Sequence, residues 1–155
     1  MPGRIETIGV IGTGQMGSGI AHVCSLAGYK VLIHDLSKER IESGLATING
    51  NMARQVASKK ISEADRDAAI ARISAAGLDD LADVDLAIES ATENETVKRK
   101  IYAELCPNLK PEAVLATNTS SISITRLAAA TDPAQSAAES GRAESAATTS
   151  GAIAR

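Results

Sequence analysis

A glycine-rich turn set between an apolar run and an amphipathic one constrains this chain more than any other feature. Gly12, Gly14 and Gly17 stand as G-x-G-x-x-G within Gly9-Val10-Ile11-Gly12-Thr13-Gly14-Gln15-Met16-Gly17-Ser18-Gly19. Ile5 to Ile11, before it, reads as a buried strand. Met16, Ile20, Val23, Cys24 and Ala27, after it, are apolar at helical spacing. Strand, glycine turn and helix in that order suit a dinucleotide pyrophosphate. The first glycine permits the tight turn, and the second lets backbone approach the phosphates. The third lets the helix pack on the strand, and the free N–H groups at the helix N-terminus then face the anion. Gly12, Gly14, Gln15, Met16 and Gly17 are therefore the candidate cofactor cradle.

The next strand supports this reading. Tyr29 to His34 (Y-K-V-L-I-H) ends at Asp35, 18 residues after Gly17. A carboxylate there accepts both hydroxyls of an adenosine ribose and repels a 2′-phosphate, which favours NAD over NADP. The bland role for Asp35 is to start a turn. His34 lies at the adenosine end, either structural or lining the adenine pocket, and His22 packs or faces solvent.

Ser37 reads as an N-cap. Ile41, Leu45, Ile48, Met52 and Val56 then step by three and four as a long helix. Ser62-Glu63-Ala64-Asp65 resembles a capping box that opens a second helix. Residues 37 to 75 thus form a helical hairpin inserted after the second strand. A short third strand falls within Arg72 to Ala76. Val84 to Glu89 and Val114 to Thr117 are the fourth and fifth strands, with a helix between them. The fold class is α/β, a Rossmann-like parallel sheet with a helical-hairpin insertion.

The carboxyl ends of the later strands carry polar groups. Glu93 and Lys98 follow the fourth strand and could reach the ribose or nicotinamide; a solvated helix face is the plain alternative for Lys98. Asn118-Thr119-Ser120-Ser121 follows the fifth, suited to hydrogen-bonding an amide or a substrate hydroxyl, or to capping a helix. Arg54, Lys59 and Lys60 cluster near the hairpin tip, either as a phosphate site for a large anionic carrier or as a solvated basic helix end.

Composition narrows the class. The net charge of -3 argues against nucleic acid as a partner. No apolar run is long enough to span a bilayer, and the start shows no secretory pattern. Two cysteines, Cys24 and Cys106, read as buried thiols in a cytoplasmic protein, and no metal motif is present. Phe and Trp are absent, so the core must be thin and aliphatic. Residues 1–132 form one NAD-binding domain. From Pro133 to Arg155 the chain turns rich in Ala, Ser, Thr and Gly with Ile153 as its one large aliphatic residue. That tail is expected to be disordered, without a strand.

Taken together, I-G-V-I-G-T-G-Q-M-G-S-G-I-A, V-L-I-H-D, I-E-S-A-T-E-N-E-T-V-K-R-K and L-A-T-N-T-S-S-I-S-I-T resemble the L-3-hydroxyacyl-CoA dehydrogenase family over residues 4 to 132. The resemblance implies NAD as cofactor and an acyl-CoA as substrate. By it, Asp35 binds the adenosine ribose, Glu93 and Lys98 contact the cofactor, and Ser120 hydrogen-bonds the substrate oxygen. Asn118 supports that loop, and Asn51 and Lys59 on the hairpin lie along the CoA moiety. The family continues with a sixth strand, an H-x-x-N-P motif whose histidine is the general base, and a helical C-terminal domain that forms the dimer. Aligned on Ser120, that histidine falls at about position 141, where this chain has Gly141, and no histidine follows His34. The expectation is a truncation or a shifted reading frame after about residue 132, leaving no all-helical C-terminal domain. A further expectation is that Val114 to Thr117 is an uncovered, association-prone sheet edge.

Overall fold

The computed structural model describes residues 4–118 and the short strand 152–154. The order of elements is β1 (Thr7–Ile11), α1 (Gln15–Leu26), β2 (Lys30–His34), α2 (Lys38–Ala57), α3 (Glu63–Ala71), β3 (Ile73–Ala75), β4 (Leu86–Glu89), α4 (Glu95–Leu105), β5 (Val114–Thr117) and β6 (Ala152–Ala154). The sheet runs β3-β2-β1-β4-β5-β6. Strands β1 to β5 are parallel, as the α/β reading requires.

Alternation along each strand sends side chains to two cores. Ile8 and Val10 of β1 join Val31, Ile33, Ile48, Met52 and Ala69 under α1, α2 and α3. Ile11 joins Ala87, Leu115, Leu81, Tyr102 and Leu105 on the α4 side. Both faces are covered, which is why these strands are nearly continuous in apolar residues. Tyr102 is the aromatic member of this core, while Tyr29 is 36% exposed.

The hairpin forms as its caps dictate. The Ser37 side chain accepts from the Arg40 N–H to start α2. Ser62 and Asp65 exchange hydrogen bonds as a capping box to start α3. Gly44 has a reason that periodicity does not reveal. A Cβ there would fall 2.8 Å from Thr13 Cβ and 3.2 Å from Ser18 Oγ, so glycine is what lets α2 close on the turn after β1.

Two expectations about the tail and the edge are corrected. Residues 152–154 form a strand, antiparallel to β5, with Leu115 opposite Ile153. The β5 edge over Val114 to Ala116 is therefore paired rather than open. A free edge presents N–H and C=O groups that any extended segment can satisfy. That demand is set by backbone, so side-chain periodicity in the tail could not forecast it.

Candidate dinucleotide site

The carboxyl ends of β1, β2, β4 and β5 lie along one edge, and the sheet order reverses between β1 and β4. An open parallel sheet binds ligand at that switch point. The main chain is tied there beyond the strands. Gly12 N–H donates to His34 C=O, Ser90 N–H to Ile11 C=O, and Asn118 N–H to Glu89 C=O, each at 2.8 Å.

The glycines divide their roles by geometry. Gly12 has φ +101°, and a Cβ on it would lie 2.6 Å from Ala91 Cα and 2.7 Å from Ala91 N. At Gly17 a Cβ would fall 1.8 Å from the Gly12 carbonyl oxygen, so the helix could not seat on the turn. Gly14 differs: a Cβ there meets no protein atom within 4 Å. Its bareness keeps room for something outside the protein. Gly14 is also the N-cap of α1 without a side-chain cap, and the first turn holds no acidic residue. The helix start is thus left open to an anion, with Gln15 and Met16 exposed beside it. The cradle fits a dinucleotide pyrophosphate.

Asp35 sits at the end of β2 with its side chain 9% exposed. Its Oδ2 accepts from Thr13 N–H at 2.8 Å, and its Oδ1 accepts from Leu36 N–H. Thr13 Oγ1 stands 2.9 Å from Asp35 Oδ2 and 2.8 Å from Arg40 C=O, sharing one proton between the two acceptors. Burial pushes the Asp35 pKa up. The Thr13 and Leu36 N–H groups, the Thr13 hydroxyl and the Arg40 guanidinium outweigh it, so the carboxyl lies below its ordinary range. Asp35 is an anion aimed at the site.

A small cavity beside Asp35 is lined by Gly12, His34, Leu36, Leu78, Ala91 and Ile101, among others. Leu36 is 75% exposed, an apolar group left at the cavity mouth. His34 takes the structural role, since its Nδ1 bonds the Ala76 carbonyl at 2.8 Å, and the residue also lines this cavity. His22 packs, buried against Gln55 Oε1 at 2.8 Å.

Lys98 is not on a solvated helix face. Its side chain is 0% exposed and its Nζ is ion-paired with Glu89, also 0% exposed. The cause is the turn after β4, which brings α4 back over the sheet and leaves the fourth residue of the helix facing inward. Glu89 Oε2 also accepts from Thr117 Oγ1 at 3.0 Å, and Oε1 accepts from Ala91 N–H at 2.9 Å. Sequence reasoning missed Glu89 as a site residue. The signal was present: a carboxylate ending a strand buried on both faces requires a cation beneath it. The Tyr102 hydroxyl shares this pocket beside Thr117 without a well-formed hydrogen bond. Burial chiefly, with the Glu89 charge adding, raises its pKa.

Glu93 is exposed on the loop between β4 and α4. Asn118 directly follows β5, and its Nδ2 reaches Ser90 Oγ at 3.4 Å. Asn51 accepts from the Arg54 guanidinium on α2. Lys59 is exposed just past the end of α2 with φ 60°. Ser120 and Gly141 lie outside the described residues. Among the described residues no group of three or more His, Cys, Asp or Glu could hold a metal, and no helix is long and apolar enough to cross a membrane. Neither Cys24 nor Cys106 is in a disulfide, and burial raises the pKa of Cys24.

The sequence profile described as 3-hydroxyacyl-CoA dehydrogenase, NAD binding domain, matches residues 7–139. The chain belongs to the 3-hydroxyacyl-CoA dehydrogenase family. Family members similar to it include the 3-hydroxybutyryl-CoA dehydrogenase of Bradyrhizobium diazoefficiens, 62% identical over 133 residues that make up 85% of this chain and 45% of that protein. The 3-hydroxybutyryl-CoA dehydrogenase of Mycobacterium tuberculosis is 42% identical over 87% of this chain and 48% of that protein. The crystal structure of (S)-3-hydroxybutyryl-CoA dehydrogenase from Ralstonia eutropha superposes with a TM-score of 0.82 at 40% identity, over 86% of this chain and 47% of that one. The chain spans about half the length of the curated relatives it matches. The matched NAD-binding domain includes the glycine turn and Asp35.

Proposed function

We propose that this chain supplies the NAD-binding half of an NAD-dependent L-3-hydroxyacyl-CoA dehydrogenase acting on a short substrate such as 3-hydroxybutyryl-CoA. The observation that carries the reading is the joined pair of Asp35 and the Gly12–Gly17 turn, held by Thr13. When bound, NAD supplies a nicotinamide ring that accepts hydride from the 3-hydroxyl carbon. The chain's own groups bind and orient. Gly14, Gln15 and Met16 face the pyrophosphate, and Asp35 takes the adenosine ribose. Asn118 braces the loop that leads to Ser120, which hydrogen-bonds the substrate oxygen. Asn51 and Lys59 lie along the CoA, and Glu93 faces the cofactor from the β4 loop.

The proton of the hydroxyl needs a base. No histidine follows His34, and both histidines are committed to hydrogen bonds elsewhere. General-base catalysis contributes about 10²–10⁴-fold, so these 155 residues alone are expected to bind cofactor without measurable turnover. That same observation favours a second reading, a non-catalytic NAD-binding module. The test is a fluorescence titration with NADH followed by an acetoacetyl-CoA reduction assay. Saturable NADH binding is expected. Failure to bind NADH overturns the reading. Acetoacetyl-CoA that weakens on Lys59→Glu supports the dehydrogenase reading, and binding of NADH with no acyl-CoA affinity supports the module.

A further inference from the structure

Thr13 stands between the first two glycines of the turn, and each of its polar atoms is engaged. Its N–H donates to Asp35 Oδ2 at 2.8 Å, and its C=O accepts from Ser18 Oγ at 2.9 Å. Its Oγ1 lies 2.9 Å from Asp35 Oδ2 and 2.8 Å from the Arg40 C=O, in the first turn of α2. The residue is buried. A glycine turn needs no hydroxyl at this position. The tight bend comes from Gly12, and any residue but proline supplies the N–H. The work of the hydroxyl is therefore defined by its two acceptors.

A hydroxyl has one proton to give. The carboxylate is the stronger acceptor, since hydrogen bonds to a charged oxygen are roughly twice as strong as neutral ones. An adenosine ribose changes that balance, because its hydroxyls bring their own protons to the acid at the end of the second strand. With a ribose hydroxyl and the Thr13 N–H both on the Asp35 carboxylate, the Thr13 hydroxyl proton turns to the Arg40 C=O. Steric contact follows the same route. Gly44, about one turn further along α2, comes so close that a Cβ on it would fall 2.8 Å from Thr13 Cβ and 3.1 Å from Thr13 O.

We propose that the Thr13 hydroxyl couples the dinucleotide site to the helical hairpin: with the ribose on Asp35, it donates to the Arg40 C=O and holds the start of α2 against the glycine turn. Thr13 is thus a positioning residue, acting through α2. The inference rests on ribose binding at Asp35. By it, the cofactor sets the seat of the hairpin along which the acyl-CoA is proposed to lie.

Amide hydrogen exchange over α2, with and without saturating NADH, tests this in the unaltered chain, in Thr13→Ser and in Thr13→Val. Serine keeps the hydroxyl. Valine keeps the shape and the backbone N–H to Asp35, so this variant still binds NADH. NADH is expected to slow exchange over residues 41–45 about threefold or more in the unaltered chain and the Ser variant, the scale of one hydrogen bond, and less than about 1.5-fold in the Val variant. Equal slowing in the Val variant overturns the inference, because the hydroxyl would then carry none of the coupling. Loss of the slowing in the Ser variant overturns it too. NADH that binds the unaltered chain without slowing α2 overturns the inference and leaves the dinucleotide reading standing. NADH that fails to bind the unaltered chain overturns both. Where the Val variant does not fold, Thr13→Ala, which only removes atoms beside Gly44, takes its place with the same expected loss and the same overturning result.

Discussion

Thr13 N–H donates to Asp35 Oδ2 at 2.8 Å, which makes the glycine turn and the Asp35 carboxylate one unit. The carboxylate is already oriented and charged, so binding need not order it. Asp35→Ala should lower NADH affinity about 10- to 100-fold, the scale of about 1.5–3 kcal/mol for hydrogen bonds to a charged group. NADPH should lose less, because the repulsion of its 2′-phosphate goes with the carboxylate. Parallel fluorescence titrations with the two cofactors measure this. An equal loss for both would show that Asp35 does not select between them.

The helical hairpin docks through a glycine. Gly44→Ala puts a methyl group 2.8 Å from Thr13 Cβ and should cost about 1–3 kcal/mol of stability, the usual scale of overpacking. Gly50, in the same helix, meets nothing within 4 Å, and Gly50→Ala should gain up to about 1 kcal/mol from helix propensity. Urea midpoints of the two variants should move in opposite directions.

Acid should unfold the domain in a defined window. The Lys110 ammonium, with the Thr7 and Glu6 N–H groups, holds the Asp85 pKa at about 2 against an ordinary 3.8. The Asp35 pKa is also lowered. A carboxyl with a depressed folded pKa contributes stability that is present above its unfolded value and lost as pH falls through the folded one. Stability should therefore decline from about pH 4 toward about pH 2. Asp85→Asn should be less stable at neutral pH and show a shallower decline, read from urea midpoints at pH 6, 4 and 3.

The β6 strand covers the β5 edge, and removal of it should expose that edge. Deleting residues 152–155 leaves β5 over Val114 to Ala116 without its antiparallel neighbour. Open apolar edges pair with other chains. Sedimentation or size-exclusion runs over a concentration series should show association in the shortened chain and less in the full one. Equal behaviour would mean that the pairing contributes nothing in solution.

The strand–glycine turn–helix unit was legible because its determinants are local. Gly12, Gly14, Gly17 and Asp35 are set by what a turn, a helix start and a strand end each require, and those requirements act over a few residues. The hairpin was legible for the same reason, through Ser37, Ser62 and Asp65 at its caps. Lys98 was not. Its sequence position suits a surface helix equally well, and only the packing of α4 over β4 turns it inward to Glu89.

The sequence by itself determined the parallel α/β order, the glycine turn between β1 and α1 and the acid at the end of β2, since each follows from backbone geometry over short spans. Tertiary structure alone decided that Gly44 admits α2 to the turn, that Glu89 and Lys98 meet beneath the loop, and that residues 152–154 close the sheet. Those three depend on which surfaces meet across distant parts of the chain. Burial, steric clearance and edge hydrogen bonding are properties of the meeting, and no single segment carries them.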